Sequence, residues 1–222
     1  MAPRRSGTRG KQSQGGGAEP QEPALSRDRI VATAIGLLDA HGIGGLTMRG
    51  LADALGSGVM SLYWHVSNKE DVLDLALDSV FAYRAPPQPA SSDWRGEIVH
   101  LVEDWRASML RHPWSAALLP RRALGSNILG RLELLSRTLS GAGVADADLN
   151  VALWSLWNYV MGATITRASF DVSDADRAAT QQRLAQLSLP TIERSRLLLD
   201  NDWDGAFRKG LDFLLDGLAP RR

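Results

Sequence analysis

Apolar positions recur every three or four residues along most of the chain, and no alternating β-branched run stands out. That period predicts an all-α protein. Order is expected from Ser26, a helix N-cap, after which Ile30, Ala34, Leu37 and Leu38 share one face. His41-Gly42 closes this helix and Gly44-Gly45 turn the chain. A second helix, capped or opened by Thr47, is expected to bury Leu51, Ala54 and Leu55 before Gly56-Ser57-Gly58 breaks it. A short third helix runs from Val59 to about His65. Ser67 or Asn68 caps a fourth, with Glu70 and Asp71 where the helix dipole favours acids and Val72, Leu75, Ala76 and Val80 as its apolar stripe. Pro86, Pro87 and Pro89 with Ser91-Ser92 mark a boundary.

Beyond it the helical period continues. Trp94 to Arg111 places Ile98, Leu101, Val102, Trp105 and Met109 in register, and Pro113 to Pro120 is a short piece. Further helices are expected over 124–140, 146–170, 174–187, 190–199 and 202–218. The domain plan is therefore 1–24 as a basic arm, 25–84 as a small helical head, and 92–219 as a larger helical domain. The arm is rich in Gly, Pro, Ser, Gln and Arg, with little to bury, and is expected to be disordered.

Composition narrows the function more than the fold. The 222 residues include no Cys, which excludes disulfides and thiolate chemistry. No apolar run approaches the ~20 residues that span a bilayer, and the basic N-terminus lacks the apolar core of a signal peptide, so a cytoplasmic protein without a membrane partner is expected. Net charge is zero, which is not the bulk signature of a nucleic-acid binder. Basic residues lead only in the arm, at Arg4, Arg5, Arg9 and Lys11, which could follow a DNA backbone or minor groove. No Ser-centred elbow or Gly-rich phosphate loop is present, so no enzyme and no cofactor are predicted. His100 and Asp104 stand four apart with His112 nearby, a weak metal pattern more often found on a solvated face; no metal is predicted.

The segment 47–65 has the form of a helix-turn-helix, two short helices joined by a glycine turn. Leu51, Ala52 and Leu55 supply the packing side, and Gly56 stands where a positive φ is needed. Leu62, with Val66 or the face of Trp64, is expected to hold the second helix down. That leaves Val59, Met60, Ser61, Tyr63 and His65 to meet DNA, with Thr47, Trp64 and Lys69 as further candidates. Hydroxyls of Ser61 and Tyr63 suit phosphate or a base edge, Val59 and Met60 suit a thymine methyl, and His65 and Lys69 suit phosphates.

The string from Leu62 to Leu73, Leu-Tyr-Trp-His-Val-Ser-Asn-Lys-Glu-Asp-Val-Leu, closely resembles the recognition helix and following helix of the TetR family of transcriptional regulators. The stretch 46–56 looks like that family's preceding helix. Trp94-Arg95, His112-Pro113-Trp114 and the ending 210–218 look like the C-terminal domain of its tetracycline-repressor branch. The resemblance implies a ligand-responsive repressor, a homodimer on a palindromic operator, joined through helices near 146–170 and 202–218. By family position Arg49 and Lys69 match phosphate-contacting or positioning residues, and Ser61, Tyr63 and His65 match contacts of the recognition helix. Val59 and Met60 depart from the tetracycline repressor, so the resemblance implies DNA binding but leaves the operator sequence open. The stretch 118–122 has no His, which argues against a tetracycline–magnesium effector.

An apolar and aromatic group offers a chamber for a small apolar or aromatic effector: Trp105, Met109, Trp114, Leu118, Trp154, Trp157, Asn158 and Met161, with Phe170 nearby. Trp105 and Asn158 are its preferred members, and Thr164 or Arg167 could help to orient a ligand. The same residues also suit plain core or a dimer interface. The alternative function is a dimeric small-molecule binder that acts through a protein partner without reading an operator.

Overall fold

The computed structural model describes residues 25–83, 93–169, 173–195 and 202–218, and every regular element among them is helical. The arm residues Arg4, Arg5, Arg9 and Lys11, the Pro86–Ser92 boundary and Phe170 lie outside the described residues. The head comprises α1 (Arg27–Gly45), α2 (Met48–Ala54), α3 (Val59–Leu62) and α4 (Lys69–Val80). Then come α5 (Trp94–Arg111), α6 (Pro113–Leu118) with a 3-10 turn at Leu119–Arg121, α7 (Ser126–Gly141) and α8 (Asp146–Ser169). The order closes with α9 (Asp174–Leu187), α10 (Pro190–Ser195) and α11 (Trp203–Leu218).

Local chemistry sets the helix starts. Side-chain oxygens of Ser26, Thr47 and Asn68 accept from the backbone N–H groups of Arg29, Gly50 and Asp71, each relieving an orphan donor of a first turn. Asp71 answers by accepting from Ser67 N at 2.9 Å, so the entry to α4 is closed from both sides. Within α1, Gly42 breaks the helical geometry at φ 65° and ψ −175°, and one further helical turn precedes Leu46.

Two expectations for the head change. Regular helix in α3 ends at Leu62 rather than near His65, and the chain continues as turns bonded back to Leu62 O from His65 N and Val66 N. In α2 the buried residues are Leu51 and Ala52, while Ala54 faces water. Residues 51, 52 and 55 form one face of a helix, and Ala54 lies on its solvent-side flank.

One contiguous core runs through the molecule. In the head it joins Ile30, Ala34 and Leu38 of α1 to Leu51, Leu62, Val66, Val72 and Ala76. In the body it joins Trp105 and Met109 of α5 to Leu135 and Leu139 of α7, Leu156 and Val160 of α8, and Phe207, Leu211 and Leu215 of α11. Helix α4 belongs to both parts, packing on α1 and also against α6 and α7.

Polar contacts reinforce that junction. Asp78 of α4 accepts from the backbone N–H groups of Asn127 and Ile128, capping α7 from outside its own sequence at 3.0 and 3.1 Å. Arg122 forms ion pairs with Asp74 and Glu70 and donates to Glu70 O at 2.7 Å. The paired carboxylates raise the Arg122 pKa, with the hydrogen bond to Asp74 the leading cause.

Candidate nucleic-acid interface and ligand site

The turn between α2 and α3 is built by a Schellman closure. Ser57 N donates to Ala52 O and Gly56 N to Asp53 O, which satisfies the last carbonyls of α2. Gly56 takes φ 64°, a conformation that favours glycine. Leu55 also accepts at its carbonyl from Arg29 of α1. The angle between α2 and α3 is thereby fixed by backbone chemistry, and Leu62 and Val66 pin the second element to the core.

With Leu62 and Val66 turned inward, their neighbours face out. Met60 is 74% exposed and Trp64 88% exposed, with Tyr63 and Ser61 also exposed and Val59 and His65 half-buried. Trp64 thus takes no part in holding the element down; Val66 does. Arg49 is exposed on α2. Two members of the expected set have structural duties as well. Thr47 caps α2 through its hydroxyl, and Lys69 Nζ donates to Ile43 O at 3.2 Å, at the end of α1. An ammonium carries three donors, so Lys69 is anchored by one and keeps two.

In the body, a ladder of rings runs from the end of α4 to the outside of α8. Phe81 meets Trp105 edge-on at 5.9 Å, Trp105 meets Trp157 at 5.1 Å, and Trp157 meets Trp154 at 6.0 Å. Trp105 is 1% exposed, yet its indole Nε1 has no hydrogen-bond partner. A buried N–H without a partner is unusual and marks an unmet acceptor site. Met109 and Met161 are buried in the same core, as is Leu118.

The expected chamber group is only partly brought together. Trp154 and Asn158 lie on the outer surface of α8, in a stripe with Val151 and Ile165. Positions 151, 154, 158 and 165 recur at helical spacing, so the face opposite the core collects them. Trp114 is buried, but its Nε1 is committed to Asp39 of α1 at 2.7 Å, at the junction with the head. Thr164 bonds back to Val160 O, and Arg167 pairs with Asp204. The weak metal pattern dissolves: Asp104 pairs with Arg131 and His112 with Asp39. Among the described residues no group of three metal-ligating side chains converges.

A cleft that the sequence reading did not anticipate opens beside α7. It encloses about 280 Å³ and is lined by Tyr83, Ser126, Asn127, Arg131, Leu134 and Arg137, with Gly130 and Glu133. Arg131 is 2% exposed, donates from Nε to Phe81 O at 2.6 Å and from Nη2 to Asp104 at 2.5 Å, and stacks over the Tyr83 ring. Its Nη1 has no partner. Burial, aided by Asp104, raises the Tyr83 pKa, so its phenol stays protonated.

Comparison with known proteins decides the family. The family model described as bacterial regulatory proteins, tetR family, matches residues 30–76, and that described as tetracyclin repressor-like, C-terminal domain, matches residues 86–222. The chain belongs to the TetR family. An HTH-type transcriptional regulator of Saccharopolyspora erythraea is 37% identical, over 89% of this chain and 86% of its own. The Streptomyces coelicolor TetR family protein ActR, solved in complex with actinorhodin, superposes with a TM-score of 0.75 at 29% identity, covering 87% of this chain and 95% of its own. BioQ, solved with its natural double-stranded DNA operator, gives a TM-score of 0.63 at 29% identity, covering 88% and 99%. This TetR-family chain is thus a transcriptional regulator with a helix-turn-helix head and a helical C-terminal domain. Among its described residues no helix is long and apolar enough to cross a membrane.

Proposed function

We propose that this regulator is a repressor that grips a palindromic operator as a homodimer and lets go when a small apolar or aromatic effector enters its C-terminal half. The observation that carries the reading is the outward display of Met60, Tyr63 and Trp64 beside buried Leu62 and Val66. Large apolar and aromatic side chains left in water on one short element form a surface awaiting a partner. Here the partner is the major groove, with Val59, Met60, Ser61, Tyr63 and His65 near base edges and Thr47, Arg49, Trp64 and Lys69 along the backbone.

The division into head and body falls between residues 84 and 92. Pairing of two chains uses α8 and α11, where Val151, Trp154, Ile165 and Phe213 remain exposed in the single chain. The effector chamber centres on Trp105, with Met109, Trp157 and Met161 around it, and with Trp114 and Leu118 toward the head. ActR bound to actinorhodin and BioQ bound to its operator support the two halves of this reading.

A mobility-shift titration against the DNA flanking the protein's own gene tests it. Retardation at low salt that sharpens to one fragment as salt rises is expected, because phosphate contacts fade with salt while base contacts persist. Absence of any shift with every flanking fragment refutes operator reading and favours the partner-protein alternative.

A further inference from the structure

We infer that the cleft beside Arg131 receives the acidic oxygen, carboxylate or phenolate, of an aromatic effector. The inference rests on the effector-binding role proposed above and names the chemistry of its ligand. A guanidinium offers five N–H groups in a rigid fork and keeps its charge at any physiological pH. Arg131 is almost wholly buried, and two of its nitrogens are answered by Phe81 O and Asp104 while Nη1 is not. An orphaned donor on a buried cation calls for an acceptor, and a charged acceptor answers it best.

The cleft supplies the rest of such a site. Its lining residues include two arginines, Arg131 and Arg137, and one acid, Glu133, while Asp104, outside the lining, pairs with Arg131 through Nη2 alone. Ser126 and Asn127 line it at the start of α7, where their donors are held by Asp78. The Tyr83 ring lies 4.8 Å from the guanidinium carbon, presenting an aromatic wall at the same spot.

The aromatic part of the ligand follows from Phe81. Its carbonyl holds Arg131 Nε, and its ring meets Trp105, whose own Nε1 is another buried donor without a partner. One residue therefore separates the anion site from the tryptophan ladder. Phe81 is also the C-cap of α4, the helix that begins at Lys69 beside the reading element. A ligand that engages Arg131 acts one hydrogen bond away from the end of that helix.

The test uses the full-length protein and two probes of matched shape, 2-naphthoate and its neutral analogue 2-naphthamide, followed by calorimetry and tryptophan fluorescence. The wild type is expected to bind the naphthoate at least roughly ten-fold more tightly than the amide, and Arg131→Gln to reduce that preference to within about two-fold. Gly130→Leu provides a variant that does not depend on Arg131. Gly130 lines the cleft and a Cβ there meets nothing within 4 Å, so a leucine is placed without a clash and is expected to obstruct naphthoate binding. Equal binding of the two probes, no binding of either, or naphthoate binding that survives Gly130→Leu overturns the inference. Where Arg131→Gln fails to fold, the Gly130→Leu result decides. No DNA enters this assay, so its failure leaves operator reading standing, and failure on DNA leaves the anion site standing.

Discussion

Trp114 on α6 donates its indole N–H to Asp39 on α1 at 2.7 Å, and His112 meets the same carboxylate at 2.9 Å. One acid of the head is thus held by two rings that belong to the body. The contact ties α6 to α1, against which α4 and α2 are packed, and α2 in turn carries α3. Trp114→Phe keeps a ring and removes the donor. It is expected to lower unfolding stability by about 1 kcal/mol and to blunt effector-driven release while leaving DNA affinity intact. Urea titration and operator anisotropy check both parts; an unchanged midpoint together with an unchanged effector response excludes the bond as a coupling element.

Neighbouring residues on the reading element should separate folding from recognition. Leu62 is fully buried, so Leu62→Ala is expected to cost about 2–5 kcal/mol of stability and to lose DNA binding through the fold. Tyr63 is exposed, so Tyr63→Ala should leave the thermal midpoint near wild type while weakening specific DNA binding by roughly 1–3 kcal/mol. Circular dichroism melts beside anisotropy titrations make the comparison. Equal loss of helicity in both variants would assign Tyr63 to the core.

Acid sensitivity has a named source in Asp204. Its carboxyl sits below the ordinary range because Arg106 donates a hydrogen bond to it, helped by the charge of Arg167. A folded-state pKa lower than the unfolded one contributes stability that is present above the unfolded value, about pH 4, and is lost as pH falls through the folded value. Asp204→Asn should therefore be less stable than wild type at pH 7, with the gap narrowing below about pH 4. Denaturation midpoints measured across that range test it, and a constant gap would assign the effect to packing.

The outer stripe of α8 predicts the dimer contact. Trp154→Glu places a charge among Val151, Ile165 and the nearby exposed apolar positions, and so should convert a dimer into a monomer in light scattering. Tyr159 and Phe207, whose stacked rings join α8 to α11 within one chain, should keep the monomer folded. A variant that stays dimeric at micromolar concentration would move the interface elsewhere.

Much of the fold was legible because its signals are local. Ser26, Thr47 and Asn68 cap the helices their positions suggest, and Gly56 takes the positive φ that the turn demands. What stayed hidden depends on partners distant in sequence. Asp78 caps α7 from 48 to 50 residues away, and Arg131 reaches Phe81 across 50. No periodicity announces such pairs. The ladder from Phe81 to Trp154 also crosses three helices, so composition could mark its tryptophans as a group but not sort Trp105, inside, from Trp154 and Asn158, outside. Trp64 shows the same limit, since an aromatic residue beside a buried Leu62 reads equally as an anchor or as an exposed contact until the turn after α3 is known.

Selection of bound fragments from a random DNA library tests the central claim most directly. A dimer reading with α3 is expected to enrich a palindrome whose half-sites lie about one helical turn apart, ~34–36 Å, and Tyr63→Ala should relax preference at one position within each half. Enrichment of no motif, or of a single unpaired half-site by a protein that is monomeric at the selection concentration, would contradict it.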